Sequence, residues 1–349
     1  MKTFYLLIVS LLLVVSCNNT SKSHISFNGE YVDDAQFDTS ELKLEPCLLD
    51  TVPMVPYSCC FLDSLFIVNE HPGKVTKNFY KIYNKNKLVA QFGETGNGPN
   101  DFQLPLLSSA GKVEHNYFYS TSEGKYCKIS IDSVDYQVKI QNLFMPVEFS
   151  LVNDVLQFND SAIVISQTGD YQLQRYNPKT QHIENYNYYE EMSNIPNFNM
   201  TMQLYVSSCS SNRDYVVLAY EHLKMIDIIS LSDMSLHKRL FFHNFDSNDY
   251  EVDDNGNIIY DYDKITKYFI YVTAAEDKFY VSSLECSEKD ALSGKLMNSI
   301  YVIDYNGVIL KQYKPNALVT SFVVKGDKIY AIVYDLVQHE KIICKGILN

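Results

Sequence analysis

A chain of 349 residues with 46% hydrophobic and 20% charged residues has the balance of a folded protein, which excludes wholesale disorder. Its net charge of −13 repels phosphate backbones and argues against nucleic acid as a partner. The aromatic complement, 28 Tyr and 19 Phe with no Trp, leans toward strand-forming residues.

The chain opens with Met1-Lys-Thr and an apolar run over residues 4–15, the length of a signal-peptide core and too short to span a bilayer. The run ends in Val14-Val-Ser-Cys17. A small residue directly before such a Cys resembles the bacterial lipobox, in which the Cys becomes the acylated first residue of the mature chain. The alternative is an ordinary secretory signal with an incidental Cys. The resemblance implies a signal peptide over 1–16, a lipidated Cys17 with a tether over 17–23, and one domain over 24–349. Acyl chains on Cys17 would hold the protein at a lipid bilayer without spanning it. Removing residues 1–16 takes away Lys2 and no acid, so the mature chain is one unit more negative. Surface-exported lipoproteins of some Gram-negative groups carry acids directly after the Cys, and Asn18-Asn-Thr-Ser-Lys22 has none. A periplasm-facing outer-membrane anchor in the bacterial envelope is expected. The seven other cysteines have no CxxC spacing and read as small buried strand residues.

Next come two candidate strands at residues 25–31 and 41–49. Then a phrase recurs, an Asp or Asn that starts a β-branched and aromatic run: Asp63-Ser-Leu-Phe-Ile-Val-Asn69, Asn116-Tyr-Phe-Tyr-Ser-Thr-Ser122, Asp160-Ser-Ala-Ile-Val-Ile-Ser166, Asp214-Tyr-Val-Val-Leu-Ala-Tyr220, Asp277-Lys-Phe-Tyr-Val-Ser-Ser283 and Asp327-Lys-Ile-Tyr-Ala-Ile-Val333. The starts are 53, 44, 54, 63 and 50 residues apart, the spacing of four-stranded propeller blades. The predicted fold is all-β, a single six-bladed β-propeller. Its sixth blade has three strands before the chain stops at Asn349, so an N-terminal strand is expected to pair with the open edge and close the ring. The strand before each phrase is rich in small residues, as crowding around a propeller axis requires. It predicts a channel lined by Ser58, Ser108, Ser109, Ser207, Ser208, Thr273 and Thr320, able to hold water or a small polar ligand.

Between the first two blades lies Phe92-Gly-Glu-Thr-Gly-Asn-Gly-Pro-Asn-Asp-Phe102. It resembles the FGxxGxGPxxF segment of NHL-like and related six-bladed propellers. With the lipobox and the repeat, the mature chain is similar to the TolB-like propeller lipoproteins of Gram-negative bacteria, although Asn100-Asp101 stands where that pattern often has Gly-Glu. The glycines are expected to permit positive φ and Pro99 to fix the exit, so the segment reads as a structural corner, the alternative being a ligand-facing loop. It opens no helix and lacks GK[ST], so it is no phosphate cradle.

Two further insertions follow. Residues 186–202 contribute Tyr186, Tyr188, Tyr189 and Phe198, which with Tyr205 form either a stacking platform for sugars or peptides or a rim between blades. Residues 245–267 are acidic and contain Glu251-Val-Asp253-Asp-Asn255-Gly-Asn257, a partial match to a calcium loop in which Glu251, Asp253 and Asn255 would be ligands. The bidentate Glu is replaced by Tyr262, and a tight Asn255-Gly256 turn accounts for the same residues. Asp63-Ser-Leu, Asp132-Ser-Val and Asp160-Ser-Ala resemble a short O-glycosylation acceptor. No GxSxG or HExxH motif is present.

These features point to a monomeric membrane-anchored binding or interaction module for an envelope protein, peptide or glycan, without a cofactor other than calcium. The competing reading is a metal-dependent lactonase- or esterase-like hydrolase with an ion in the channel. Its carboxylate and amide candidates, Glu148, Asn153 and Asp154, come from a single blade.

Overall fold

Each Asp- or Asn-led phrase runs into the second strand of an antiparallel sheet, and at Asp63, Asp214, Asp277 and Asp327 the acid sits in the turn or bend that leaves the strand before. In this computed structural model the described residues are 29–32, 37–73, 77–107, 118–122, 125–143, 152–159, 162–167, 171–188, 206–212, 214–242, 251–252, 258–259, 266–294 and 298–349. The fold is an all-β propeller. The first sheet runs Pro56–Leu62, Leu65–Glu70, Asn78–Asn84 and Lys87–Glu94 in sequential order. The second holds Leu106–Leu107, Phe118–Ser122, Lys125–Ile131 and Val138–Leu143, and the third Val152–Asn159, Ala162–Gln167, Leu173–Asn177 and His182–Tyr186. The fourth is built on Val206–Ser211, Tyr215–Tyr220, Met225–Ser230 and Leu236–Phe242, and the fifth on Lys267–Ala274, Lys278–Cys286, Ser299–Asp304 and Ile309–Pro315. Leu318–Lys325, Lys328–Asp335 and Glu340–Ile347 make the sixth. Among the described residues one short helix, Glu288–Leu292, is capped by Ser287, whose Oγ accepts from the Asp290 amide at 3.1 Å.

The core lies between sheets. Val217, Ile226 and Phe242 of the fourth pack on Phe269, Val281 and Tyr301 of the fifth. Tyr280 and Ile300 of the fifth meet Val319, Phe322 and Ala331 of the sixth, and Val323 and Ile332 of the sixth meet Phe66 and Val68 of the first. The first strand of the sixth sheet lies beside that of the first sheet. In five sheets the pairing of the first two strands slips near the top of the inner strand, at Pro56/Ser58, Val152/Asp154, Val206/Ser208, Lys267/Phe269 and Val319/Ser321. Such bulges bend a strand and re-aim its side chains.

The N-terminal segment departs from expectation. Instead of two strands it makes three short ones within the described residues, each on a different sheet. Glu30–Val32 runs parallel to Leu240–Phe242 of the fourth sheet, and Thr39–Leu42 runs parallel to residues 312–315 of the fifth. Glu45–Pro46 pairs antiparallel with Cys344 and Lys345 of the sixth. The segment is a belt rather than a single latch. Leu42 and Leu44 are buried in the cluster between the fifth and sixth sheets, and Asn316 clamps them, its Oδ1 accepting from the Leu44 amide at 2.8 Å.

The glycine-rich segment is a corner, as its sequence implies, but for a different reason at two of its glycines. Gly93 has φ of +80°, and a side chain there would strike Tyr80. Gly96 and Gly98 do not have positive φ; a Cβ at either would come within 2.4 and 2.6 Å of Asp101 Oδ2, which accepts from the Gly98 amide. Lys125 Nζ, from the second sheet, donates to the Gly98 and Asp101 carbonyls, and Phe102 is buried against Tyr80.

Candidate functional site

Phe61 is paired directly with Phe66 across the first hairpin, and Phe66 with Tyr83 across the next strand. Residues directly opposite on neighbouring strands project from one face, so the three rings form a row on the side of the first sheet that faces the sixth. There they meet Tyr330, whose centroid is 4.9 Å from that of Phe61 and 5.3 Å from that of Phe66. Over these rings opens a cleft of about 350 Å³. Hairpin turns build its rim. Asp63-Ser64 and Lys85-Asn86 turn with φ of +50° at Asp63, +46° at Lys85 and +71° at Asn86, while Gly326, at +62°, reverses the chain between Lys325 and Lys328. The remaining wall is the chain between the belt and the first sheet. Here the Cys47 amide donates to Ile343 O at 2.9 Å and the Asp50 amide to Asn86 O at 3.1 Å.

The cleft is apolar below and cationic above. Lys325 Nζ lies 4.3 Å from the Phe61 centroid and donates to the Asp63 carbonyl. Lys85 and Lys328 are exposed at the rim and form no ion pair with another described residue. Asp327 is the one acid among the lining residues. Burial raises the pKa of the Tyr330 and Tyr83 hydroxyls, and Tyr83 donates to Thr51 O at 2.7 Å. Burial also pushes the Cys47 thiol up to about 11, with Lys345 pulling weakly the other way. The floor is therefore neutral around pH 7 while the rim carries positive charge.

The sequence reading singled out none of these rings or lysines. Superposing the repeats on their Asp or Asn would have shown them: three residues on stand Phe66, Tyr119, Tyr280 and Tyr330, and two residues before stand Phe61 and Lys325.

Of the hydroxyl residues expected around the axis, Ser58, Thr273 and Thr320 have described side chains. Ser58 Oγ is enclosed and has no partner among the described residues, next to the equally unsatisfied Oδ1 of the fully buried Asn69. Thr320 turns back to Ile332 O at 3.1 Å, and Thr273 is buried within its sheet pair. Ser207 is the bulged residue and Ser208 the next in the fourth inner strand. Ser108, Ser109, Tyr189, Phe198 and Tyr205 lie outside the described residues, as do Cys17 and Glu148. Asn153 is the bulged residue of the third sheet's first strand, and Asp154 follows it. Tyr188 is tied into the seam of the third and fourth sheets: its hydroxyl donates to Met234 O at 2.7 Å, and its carbonyl accepts from Arg239, which is buried against Asp227. Glu251–Val252 pairs with Ile258–Ile259 as a small antiparallel ladder, while Asp253 and Asn255 lie outside the described residues.

At the opposite ends of the second strands from these turns, Asp63 and Asp214 are each followed after seven residues by Glu-His, Glu70-His71 and Glu221-His222. Both glutamates hold a lysine, Glu70 with Lys81 and Glu221 with Lys267, each at 2.7 Å. His222 Nε2 is 3.8 Å from Glu221, and its Nδ1 is 3.3 Å from Thr266 O. Burial outweighs Glu221 and holds the imidazole below its ordinary value of 6.5. The native state thus favours the neutral ring. Its contribution is complete above pH 6.5 and is lost as pH falls from there through the native pKa. Chemical denaturation between pH 7.5 and 5.5 should show stability falling with pH, less steeply in His222→Gln; equal slopes would remove His222 as the cause.

No curated protein sequence matches the chain. Among solved structures it is similar to a Bacteroides fragilis protein described as exported, with TM-score 0.52 and 14% identity over 94% of this chain and 96% of that one. It is also similar to the WD40 repeats of RRP9, with TM-score 0.50 and 9% identity over 93% of this chain and all of that one. At these identities the likeness is one of fold. A family model described as TolB-like 6-blade propeller-like matches residues 40–327, and the chain belongs to that family.

Proposed function

We propose that this protein is an envelope lipoprotein whose β-propeller serves as a binding module, with the cleft between the first and sixth sheets as its ligand site. The observation that carries the reading is the convergence of four aromatic rings and three lysines, from both ends of the chain, over one cavity. Concave, mostly apolar pockets with a few placed polar groups are the usual form of a ligand site. In this reading the six sheets close as a six-bladed ring, and the pairing of Glu45–Pro46 with the sixth sheet is the closure. Fragment screening by amide chemical shifts should give hits whose perturbations cluster around Ser64, Asn86 and Gly326. Hits confined to other faces would sink the assignment.

The anchor at Cys17 and a periplasm-facing outer-membrane location complete the proposal, supported by the signal-like run, the small residue before Cys17 and the exported description of the Bacteroides fragilis relative in fold. In cells fed an alkyne-tagged palmitate, the wild-type chain should take up label and Cys17→Ser should not. Equal labelling of the two would rule out acylation at Cys17.

A further inference from the structure

We propose that the cleft takes a carboxylate carried on an aromatic ring, an inference that rests on the cleft being the ligand site. The cavity, about 350 Å³, is near the small end of ligand pockets and suits a body of one or two rings. Its floor is ring against ring: Phe61 with Phe66 at 5.0 Å, Phe61 with Tyr330 nearly edge-on at 70°, and Phe66 with Tyr83 at 6.4 Å. A further planar ring can join such a cluster in the offset and edge-to-face geometries that aromatic groups prefer.

Charge selects the other half of the ligand. The protein as a whole carries −13, yet the residues lining this place hold three lysines to one aspartate. Lys325 is held over Phe61, while Lys85 and Lys328 are exposed on facing turns and free of ion pairs with described residues. Flexible ammonium groups on both sides of the opening can close on a carboxylate above the rings, giving charge-assisted hydrogen bonds in a half-buried setting. The chain's own leader to the belt does not supply such a group, since residues 18–28 contain no Asp or Glu.

The same chemistry is offered by a free aryl acid and by the C-terminal Phe or Tyr of a peptide. The test is titration of the full mature chain, followed by amide shifts, with 3-phenylpropanoate, its neutral amide, octanoate, and a tetrapeptide ending in Phe with a free or amidated terminus. The acids should bind about tenfold more tightly than their amides, the size of one charge-assisted contact. Lys85→Gln/Lys328→Gln, with both changes on exposed turns and its melting checked against wild type, should lose about that factor for the acids and leave the amides unchanged. Tighter binding of the peptide acid would mark a protein source, and tighter binding of phenylpropanoate a small-molecule source. Acids and amides binding alike, or octanoate binding more tightly than phenylpropanoate, would overturn the inference while leaving the cleft a ligand site. If neither these compounds nor any fragment moves the cleft amides, both the inference and the site assignment fall.

Discussion

A chain lacking residues 29–49 should melt about 10 °C below the full domain and scatter light on heating. The estimate starts from Leu42 and Leu44, which are 1% and 5% exposed between the fifth and sixth sheets. Losing a buried leucine costs about 2–5 kcal/mol, and in a domain of this size each kcal/mol moves the midpoint by roughly 2 °C. The deletion also bares the edge of Glu340–Ile347, eight residues long, as a template for pairing with another chain. Gly346→Val offers a gentler version: a Cβ at 346 would stand 2.9 Å from the Lys43 carbonyl and 3.0 Å from Leu44, pushing the belt away without removing it. Calorimetry should show the same sign of change with a smaller size. Unchanged melting in the deletion would show that the belt is an ornament on an already closed ring.

Glu70→Ala should be the most damaging single substitution in the first sheet. Glu70 and Lys81 are 0% and 1% exposed and form an ion pair at 2.7 Å, with Glu70 Oε2 also accepting from the Met54 amide. Truncating the acid strands a buried ammonium whose other neighbour is the Val52 carbonyl at 3.5 Å. Breaking such a pair costs about 3–5 kcal/mol, whereas replacing both partners with apolar groups can be neutral or better. Urea denaturation should therefore place Glu70→Ala far below wild type and Glu70→Ala/Lys81→Met well above the single variant. A double variant as unstable as the single would mean that the loss comes from the Met54 contact and not from the stranded charge. The exposed pair Lys43–Glu45 provides the contrast, since at comparable distance its removal should leave the urea midpoint close to that of wild type.

The architecture was legible because a blade is a fixed unit of chain: each Asp or Asn phrase marks one second strand, and the spacing counts sheets without any knowledge of their contacts. The belt was not. Strands of two to four residues carry too few positions for a period, and two of them run parallel to partners more than 200 residues away, a pairing that no local pattern encodes. The small residues of the inner strands are visible as composition, but a bulge such as that at Thr320 changes where a side chain points, and bulges leave no composition signal. The cleft was invisible for a related reason. Phe61 and Tyr330 are ordinary strand aromatics in their own repeats, and they become a site only when the last sheet lies against the first. Asp101 illustrates a milder failure, where glycines assigned to unusual backbone angles instead make room for a carboxylate.

The order in which the belt crosses the sheets has a mechanical meaning. A load applied at the amino end reaches Glu30–Val32 and its Glu30 to Lys238 contact first, then Thr39–Leu42, and only then the two-residue pairing at Cys344 and Lys345. A molecule dragged by its leader would shed tension in stages along its flank, so that the joint between first and last sheets, with the aromatic cleft beside it, is the last part to feel the pull.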